Sequence, residues 1–306
     1  MNYRDIQRTM KVGFMGSDFR PPVSMPDPEK GRWLIRQAAE MGCNCLHYSV
    51  DFPETEAELS AIRAATEEHG IELELRGAEI GRLRNVFELT GPNAGLARED
   101  IAQRIRIMKR LGIRIMRLGY GSLRIEKSRF APDGRRQLET IGKSLREAAK
   151  IMEDNDVYLA VENHCDFKGA DLAAMFDLVD SPHVGCALDT ANAYTVFNDP
   201  DLEIAQLAPY AITTHIKDML VIQEDVKPRI PFAPVGVAVG DGSIDIPLAI
   251  ETLTRKARNP VGLHLVVEMS WVRHAPDATP AQQAETVNGM IRRSVEYLHR
   301  YLNRDA

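Results

Sequence analysis

The sequence predicts an α/β fold, a single (β/α)8 TIM barrel, and two observations lead to this prediction. Short runs rich in Val, Ile and Leu alternate with longer segments of helical period along the whole chain, as expected of successive βα units around a parallel sheet. Eight such units can be counted in the 306 residues, a length that one barrel reaches when its loops are long. We therefore expect one barrel domain over residues 1–306 without a linker between domains.

The predicted strands are eight apolar segments of four to eight residues, each followed by a segment able to form a helix. They span residues 11–15, 43–50, 72–75, 113–119, 158–163, 184–188, 212–216 and 262–269. A doubly wound sheet would show a similar alternation. No Gly-x-Gly-x-x-Gly follows the first strand, however, so the dinucleotide-binding fingerprint of that alternative is missing.

The predicted helices carry their own end signals. Pro28 opens the first, Thr55 begins a Thr-x-x-Glu capping box, Gly70 and Gly112 follow helix ends, and Asp245 is placed as an N-cap. The eight helices are expected at about 28–42, 55–69, 94–111, 135–153, 171–179, 200–208, 246–256 and 280–301. Two connecting segments, 76–93 and 218–243, are longer than usual, and loops of this length commonly serve as lids or binding loops.

Composition narrows the range of partners and locations. The 38 Lys and Arg residues against 44 Asp and Glu residues give a net charge of −6, which would repel a nucleic-acid backbone. Residues 1–10 lack the apolar stretch of a signal peptide, and no segment approaches the ~20 apolar residues of a membrane span. These features predict a soluble, cytoplasmic protein with no nucleic-acid or membrane partner. Its four cysteines are expected to be buried reduced thiols.

The last four predicted strands each finish in a side chain able to bind a metal ion: Glu162, Asp189, His215 and Glu268. Spacings of 27 and 26 residues separate the first three, one βα repeat each, and 53 residues lead to the fourth across the long 218–243 segment. The carboxyl ends of barrel strands share one mouth, so these side chains are expected to meet there. A single polar side chain at a strand end would more often pair with a nearby Lys or Arg. Three converging carboxylates instead favour a bound metal ion, because its charge offsets the cost of their desolvation.

Three oxygen ligands and one imidazole nitrogen suit a fairly hard divalent ion. We expect Mn2+ first, with Mg2+, Co2+ or Zn2+ as alternatives. Four protein ligands around a six-coordinate ion leave two positions, which adjacent oxygens of a polyol can occupy.

The same part of the chain resembles the xylose isomerase-like superfamily of metal-dependent sugar isomerases and epimerases. The resemblance covers most of the chain and rests on motifs at 161–164, 188–192, 215–218, 240–245 and 267–268. It implies that Glu162, Asp189, His215 and Glu268 bind the metal. It also implies that Glu162 and Glu268 exchange protons with the substrate from opposite sides. Members of the superfamily are often dimers or tetramers, so a homo-oligomer is compatible with the resemblance.

The chemistry of a keto sugar agrees with this assignment. Removing a proton beside a carbonyl creates an enediolate, which a cation bound to both oxygens stabilises. Two opposed carboxylates then allow epimerisation, and one base acting on neighbouring carbons interconverts an aldose and a ketose. The sequence thus predicts a sugar or keto-sugar isomerase or epimerase. If the enediolate expels a β substituent, the site is instead a lyase or dehydratase acting on a 3-keto-glycoside or keto-inositol.

Two further hypotheses assign the protein to other functional classes. An endonuclease related to DNA-repair barrels would need more ligands and a basic groove, and the acidic balance argues against it. A metal-dependent binding protein without turnover would gain stability from its ligand but would exchange no protons.

Five more residues are predicted to contact the substrate: His164, Asn192, Lys217, Tyr120 and Trp271. The histidine and the lysine each follow a candidate ligand by two residues, so strand alternation points them inward, towards either the substrate or the carboxylates. The asparagine contacts sugar or caps its loop. The two aromatic residues follow strand ends and either stack on a sugar ring or pack within their loops.

The glycines of the 218–243 segment could form an anion-binding nest, with Lys227 and Arg229 nearby. Asp241 and Asp245 argue against a nest that binds a ligand. An uncharged sugar or a glycoside is therefore preferred to a sugar phosphate.

Overall fold

The computed structural model describes residues 1–22, 24–48, 55–76, 83–121, 124–223 and 232–303. Within these residues, eight parallel strands form a nearly closed barrel with flanking helices, which confirms the predicted (β/α)8 fold. The strands are β1 (Lys11–Phe14), β2 (Cys45–Tyr48), β3 (Glu72–Arg76), β4 (Ile115–Leu118), β5 (Tyr158–Glu162), β6 (Val184–Asp189), β7 (Ala211–Ile216), β8 (Asp218–Gln223), β9 (Phe232–Val237) and β10 (His264–Val267). All except β8 and β9 belong to the barrel, in the order β1-β10-β7-β6-β5-β4-β3-β2.

The barrel closes between β1 and β2. The backbone N–H of Asn44 donates to the carbonyl of Val12 at 3.0 Å, and the N–H of Gly16 donates to the carbonyl of His47 at 2.9 Å. Gly13 is required at this seam, because a Cβ there would lie 2.2 Å from the carbonyl oxygen of Cys45. Closure brings the carboxyl ends of all eight strands to one mouth.

The helices flank the barrel and begin and end where the local signals indicate. They are α1 (Tyr3–Thr9), α2 (Asp27–Glu40), α3 (Glu56–His69), α4 (Ala94–Leu111), α5 (Gly134–Asn155), α6 (Gly169–Val179), α7 (Pro200–Leu207), α8 (Ile246–Lys256) and α9 (Pro280–Asn303). Gly70 and Gly112 adopt the left-handed conformation after α3 and α4, and Asp245 caps α8 by accepting from Leu248 N at 2.9 Å. Helix α1 was not predicted, although Asn2 and Asp5 form a capping box at its start.

The long connecting segment 218–243 contains a β-hairpin that the sequence did not predict. Strands β8 and β9 pair antiparallel through six residue pairs, from Asp218 with Val237 to Gln223 with Phe232. In the other predicted loop, 76–93, residues Leu83–Glu88 form a 3-10 helix. Residues 77–82 and 224–231, including Lys227 and Arg229, lie outside the described residues. In the part of the chain that is described, no helix is both long and apolar enough to cross a bilayer.

The interior of the barrel contains titratable groups as well as apolar ones. Glu74 of β3 has no exposed surface, and its carboxylate accepts hydrogen bonds from Thr213 and, at 2.6 Å, from His264. His47 of β2 lies above it, with 3.8 Å between its Nδ1 and the Oε2 of Glu74. A row of polar groups therefore runs from the amino end of the barrel towards the mouth.

Candidate metal centre

The four predicted ligands meet at the mouth. Glu162 and Asp189 end β5 and β6, His215 lies near the end of β7, and Glu268 follows β10. One ligand atom from each lies within 4.8 Å of those of the others, and none of the four residues is more than 8% exposed. The strand register explains why these side chains converge. Asp189 of β6 is the register partner of His215 of β7, and His215 is the register partner of Val266 of β10, two residues before Glu268. Residues two apart on a strand share a face, so Glu268 points inward with His215.

His215 turns one ring nitrogen towards two of the carboxylates. Its Nδ1 lies 3.2 Å from Glu162 Oε1 and 2.8 Å from Glu268 Oε2. The third carboxylate, Asp189, is held by backbone groups, since its Oδ1 accepts from the N–H groups of Ala191 at 2.8 Å and Asn192 at 2.9 Å. Its other oxygen, Oδ2, remains turned to the cluster.

Lys217 lies between two of these acids. Its Nζ is 2.8 Å from Asp189 Oδ2 and 2.8 Å from Glu268 Oε1, and it donates to Asn192 Oδ1 at 3.1 Å. Burial lowers the pKa of Lys217, but Asp189 and Glu268 outweigh burial and raise it. Burial likewise raises the pKa of Glu268, but Lys217 and His215 together hold it well below the usual range. Both groups are therefore charged at neutral pH.

The donor set fits a divalent ion. Glu162 Oε2, Asp189 Oδ2 and Glu268 Oε2 are buried and accept no hydrogen bond of good geometry, although each lies beside a cationic or imidazole group. Buried carboxylate oxygens without hydrogen bonds are costly unless a cation is bound. Three such oxygens with the Nδ1 of His215 match the mixed oxygen and nitrogen ligands of Mg2+, Mn2+ or Zn2+ sites. The cluster can therefore hold a metal ion.

The predicted substrate residues differ in how close they lie to this cluster. Asn192 is buried and donates to Glu162 Oε1 at 3.3 Å, in addition to accepting from Lys217. The indole of Trp271 is 37% exposed, and the Nζ of Lys217 lies 5.3 Å from its ring centre. These contacts place the asparagine, the lysine and the tryptophan around the metal ligands.

His164 lies at the same mouth, and Tyr120 lies outside the cluster. Burial, followed by the nearby Arg117, lowers the pKa of His164 to about 4, so its ring is neutral, and its Nδ1 is buried without a hydrogen-bond partner. Tyr120 donates to Gln137 at 2.9 Å and packs against Phe87 at 5.1 Å between ring centres. His164 therefore lies beside the cluster and Tyr120 does not, and a substrate contact by either residue stays a prediction.

Sequence reasoning missed three other residues of the mouth. Arg117 of β4 forms an ion pair with Glu162 Oε2, and its side chain is only 12% exposed. Arg76 of β3 is the register partner of Arg117. Asp18 accepts from Met269 N at 2.8 Å, and burial and Glu268 raise its pKa to about 7. Each lies near the end of a predicted strand or shortly after it, but polar residues are ordinary at a barrel mouth, so position alone did not select them.

His47 is a fourth residue that sequence reasoning missed. Its Nδ1 lies 3.4 Å from the Nε2 of His215, the ring nitrogen that points away from the carboxylates. Burial, His215 and Arg117 lower its pKa well below the usual range, so His47 is neutral. A neutral imidazole can accept a hydrogen bond from His215, which leaves the other nitrogen of His215 free to bind a cation.

Comparisons with known proteins agree with this fold. The chain is 24% identical over 296 residues to a 3-oxo-isoapionate decarboxylase from Pectobacterium atrosepticum, covering 94% of this chain and 95% of that protein. A xylose isomerase-like TIM barrel protein from Mycobacterium smegmatis, solved in complex with magnesium, superposes with a TM-score of 0.67 at 16% identity over 97% of each chain. A D-psicose 3-epimerase from Clostridium cellulolyticum H10, solved with D-tagatose, gives 0.61 at 16% identity over 96% of this chain and 98% of the other.

A family model described as xylose isomerase-like TIM barrel matches residues 35–293. That match spans most of the chain, including every strand from β2 to β10 and all four clustered ligand candidates. The chain belongs to the xylose isomerase-like TIM barrel family.

Proposed function

We propose that the protein is a divalent-metal-dependent enzyme that isomerises or epimerises a sugar or keto sugar by proton transfer through an enediolate. The observation that carries this proposal is the convergence of Glu162, Asp189, His215 and Glu268 within 4.8 Å. When bound there, the ion, for which Mn2+ is our first expectation, would polarise the substrate carbonyl and stabilise the negative charge of the enediolate. The epimerase among the similar structures supports a keto-sugar substrate.

The two glutamates are proposed to move the protons. Glu268 is ionised at neutral pH and lies at the edge of the cluster, so it can accept the proton from the carbon beside the carbonyl. The electron pair of that C–H bond becomes the C=C bond of the enediolate, and the π pair of the carbonyl moves to its oxygen. In an epimerisation Glu162, after taking up a proton from solvent, returns it from the other face, whereas a single glutamate returns the abstracted proton to the neighbouring carbon in an isomerisation. Asn192, Lys217 and Trp271, which lie around the ligands, would orient the sugar.

A second candidate is a lyase that reaches the same enediolate by breaking a carbon–carbon bond. The decarboxylase relative favours it, since 94% of this chain aligns with that protein. In a keto-sugar acid whose carboxylate lies β to the carbonyl, loss of CO2 leaves its electron pair on the substrate as an enediolate, which a proton then quenches. Elimination from a 3-keto-glycoside or keto-inositol would use the same enediolate and expel an aglycone or water.

Incubation of the Mn2+-loaded protein in deuterium oxide with a panel of ketoses and keto-sugar acids separates these reactions. Epimerisation gives a product of unchanged mass apart from the isotope, with solvent deuterium on the carbon beside the carbonyl. Isomerisation gives such a product with solvent deuterium on the former carbonyl carbon. Decarboxylation releases CO2, and elimination releases water or an aglycone. The panel is analysed by NMR and mass spectrometry before and after removal of the ion with a chelator.

Loss of the reaction on chelation and its return with Mn2+ or Mg2+ is the expected result. A reaction that survives complete removal of the ion would contradict the proposal. Failure of the protein to bind any of Mn2+, Mg2+, Co2+ or Zn2+ in calorimetry would also contradict the proposal.

A further inference from the structure

Two arginines lie side by side at the barrel mouth. Arg76 of β3 is the register partner of Arg117 of β4. Glu74, two residues before Arg76, is directed into the barrel, where it contacts Thr213 and His264. Because residues two apart on a strand share a face, Arg76 also points inward, at the level of Arg117.

The two guanidinium groups share one described acid between them. Arg117 forms an ion pair with Glu162, but its Nε is buried and has no hydrogen-bond partner. Among the described residues, no carboxylate lies within ion-pair distance of Arg76. Adjacent like charges at a low-dielectric mouth repel each other, which favours an anion between them.

The charge of the whole mouth points the same way. Arg76, Arg117 and Lys217 equal in number the three carboxylates of the candidate ligands, so a bound divalent ion would add two positive charges to a cluster whose charges are already balanced. A substrate carrying one carboxylate, together with the negative charge that develops during reaction, would neutralise this excess. A phosphate would bring close to two negative charges before reaction begins.

Polar atoms without partners lie beside Arg117 and the candidate ligands. Gly119, two residues further along the chain, has no side chain, and the position that a Cβ would take lies 3.8 Å from Glu162 Oε2 and 3.5 Å from the Cβ of His164. The Nδ1 of His164 is, like the Nε of Arg117, a buried polar atom without a hydrogen-bond partner. Two unpartnered groups are therefore available to a substrate next to the candidate metal ligands.

We propose that Arg76 and Arg117 bind a carboxylate of the substrate, so that the substrate is a keto-sugar acid and not a neutral sugar; this rests on the proposed function of the metal centre. The planar guanidinium fork matches a carboxylate through paired, charge-assisted hydrogen bonds. The arginines thereby set specificity, while the four ligands set the reaction.

The test is calorimetric binding to the Mg2+-loaded protein of 2-keto-D-gluconate and D-fructose, which differ only in a carboxylate or a hydroxymethyl group at the first carbon. We expect the acid to bind at least about tenfold more tightly, the contribution of one charge-assisted hydrogen bond. The variants R76Q and R117Q should each lose most of this preference. The matched control is R114Q, which lies just before β4 at the opposite end of the barrel, where Arg114 pairs with the surface Asp156.

Equal affinities for the two sugars, or a preference that survives in both R76Q and R117Q, would overturn the inference. Tighter binding of D-fructose 1-phosphate than of 2-keto-D-gluconate would overturn it in favour of a phosphate. If R117Q does not fold because Glu162 loses its partner, R76Q decides, since Arg76 forms no ion pair with the described residues. Failure to bind Mg2+ would contradict the proposed function alone, because the acid preference can also be measured in the metal-free protein.

Discussion

Glu268 is the residue on which the proposed chemistry depends most. It lies within ion-pair distance of both Lys217 and His215, and its pKa is held well below the usual range despite burial. In E268Q the side chain keeps its size and one oxygen ligand but cannot accept a proton. We expect deuterium exchange into the substrate to fall by about 10³-fold or more, while Mn2+ affinity falls far less, because three other ligands remain.

The matched control for E268Q is E296Q, which removes an exposed glutamate of α9 that forms a surface pair with Arg300. Exchange rates are followed by NMR and Mn2+ affinity by calorimetry in both variants. Near-normal exchange in E268Q would contradict the proton-transfer role. If Mn2+ affinity fell as much as the exchange rate, Glu268 would act only as a metal ligand.

Sequence reasoning succeeded at residues where a chemical group follows a strand at the spacing of a βα repeat. Glu162, Asp189 and His215 satisfy that condition, and they do converge. Arg76 and Arg117 lie at or near strand ends, but an arginine there is also explained by solvation of the mouth. Only their register shows that two cations lie side by side. That pairing is a property of neighbouring strands, and our proposal of a keto-sugar acid in place of an uncharged sugar rests on it.

In the loop that follows β9, the backbone N–H groups of two glycines bind a carboxylate. The Oδ2 of Asp218 accepts from the backbone N–H groups of Gly240 and Gly242, both at 2.9 Å. Its Oδ1 accepts from Met219 N at 2.9 Å and Ile244 N at 3.1 Å. The anion held by this nest is therefore a side chain of the protein. Any Cβ at Gly242 would lie 2.0 Å from the Asp218 carboxylate, which explains the glycine.

D218N is expected to destabilise the protein by about 2–4 kcal/mol, because an amide NH2 group cannot accept the two hydrogen bonds that one carboxylate oxygen accepts. The measurement is the free energy of unfolding from urea denaturation at pH 7. D241N is the control on the same loop, since Asp241 is exposed and pairs only with Arg293 at 3.4 Å, and it should change stability by less than about 1 kcal/mol. Equal effects of the two changes would show that the nest does not hold the loop.

Element bounds were predicted well where a local signal was strong and poorly where pairing decides. Gly112 and Asp245 fixed the ends of α4 and α8 because capping is local. The hairpin of β8 and β9 was missed, since its pairing joins residues on either side of 224–231, which lie outside the described residues. Helix α1 is only seven residues long, and its polar sequence carries little helical period.

At the scale of the whole molecule, the barrel interior departs from the apolar packing that its strands suggest. His264 at the amino end is hydrogen-bonded through Nδ1 to Glu74 Oε1 at 2.6 Å and through Nε2 to Glu72 Oε2 at 3.2 Å. Alternation in the sequence shows that such residues point inward, but their partners come from strands 190 residues apart. This long-range pairing could not be predicted from one sequence, and it makes the stability of the barrel depend on pH.

Burial lowers the pKa of His264, but its hydrogen bonds to Glu72 and Glu74 outweigh burial and raise it to about 9. A pKa raised in the folded state contributes stability that is complete below about pH 6.5 and is lost as pH rises through 9. We expect the free energy of unfolding to fall by up to about 3 kcal/mol over this interval through His264 alone.

H264Q should be less stable at pH 6.5, yet its stability should fall by much less between pH 6.5 and 9 than that of the parent protein. The surface variant H69Q should follow the parent. Urea denaturation across this range provides the measurement, and parallel pH profiles for H264Q and the parent would contradict the charged pairing inside the barrel.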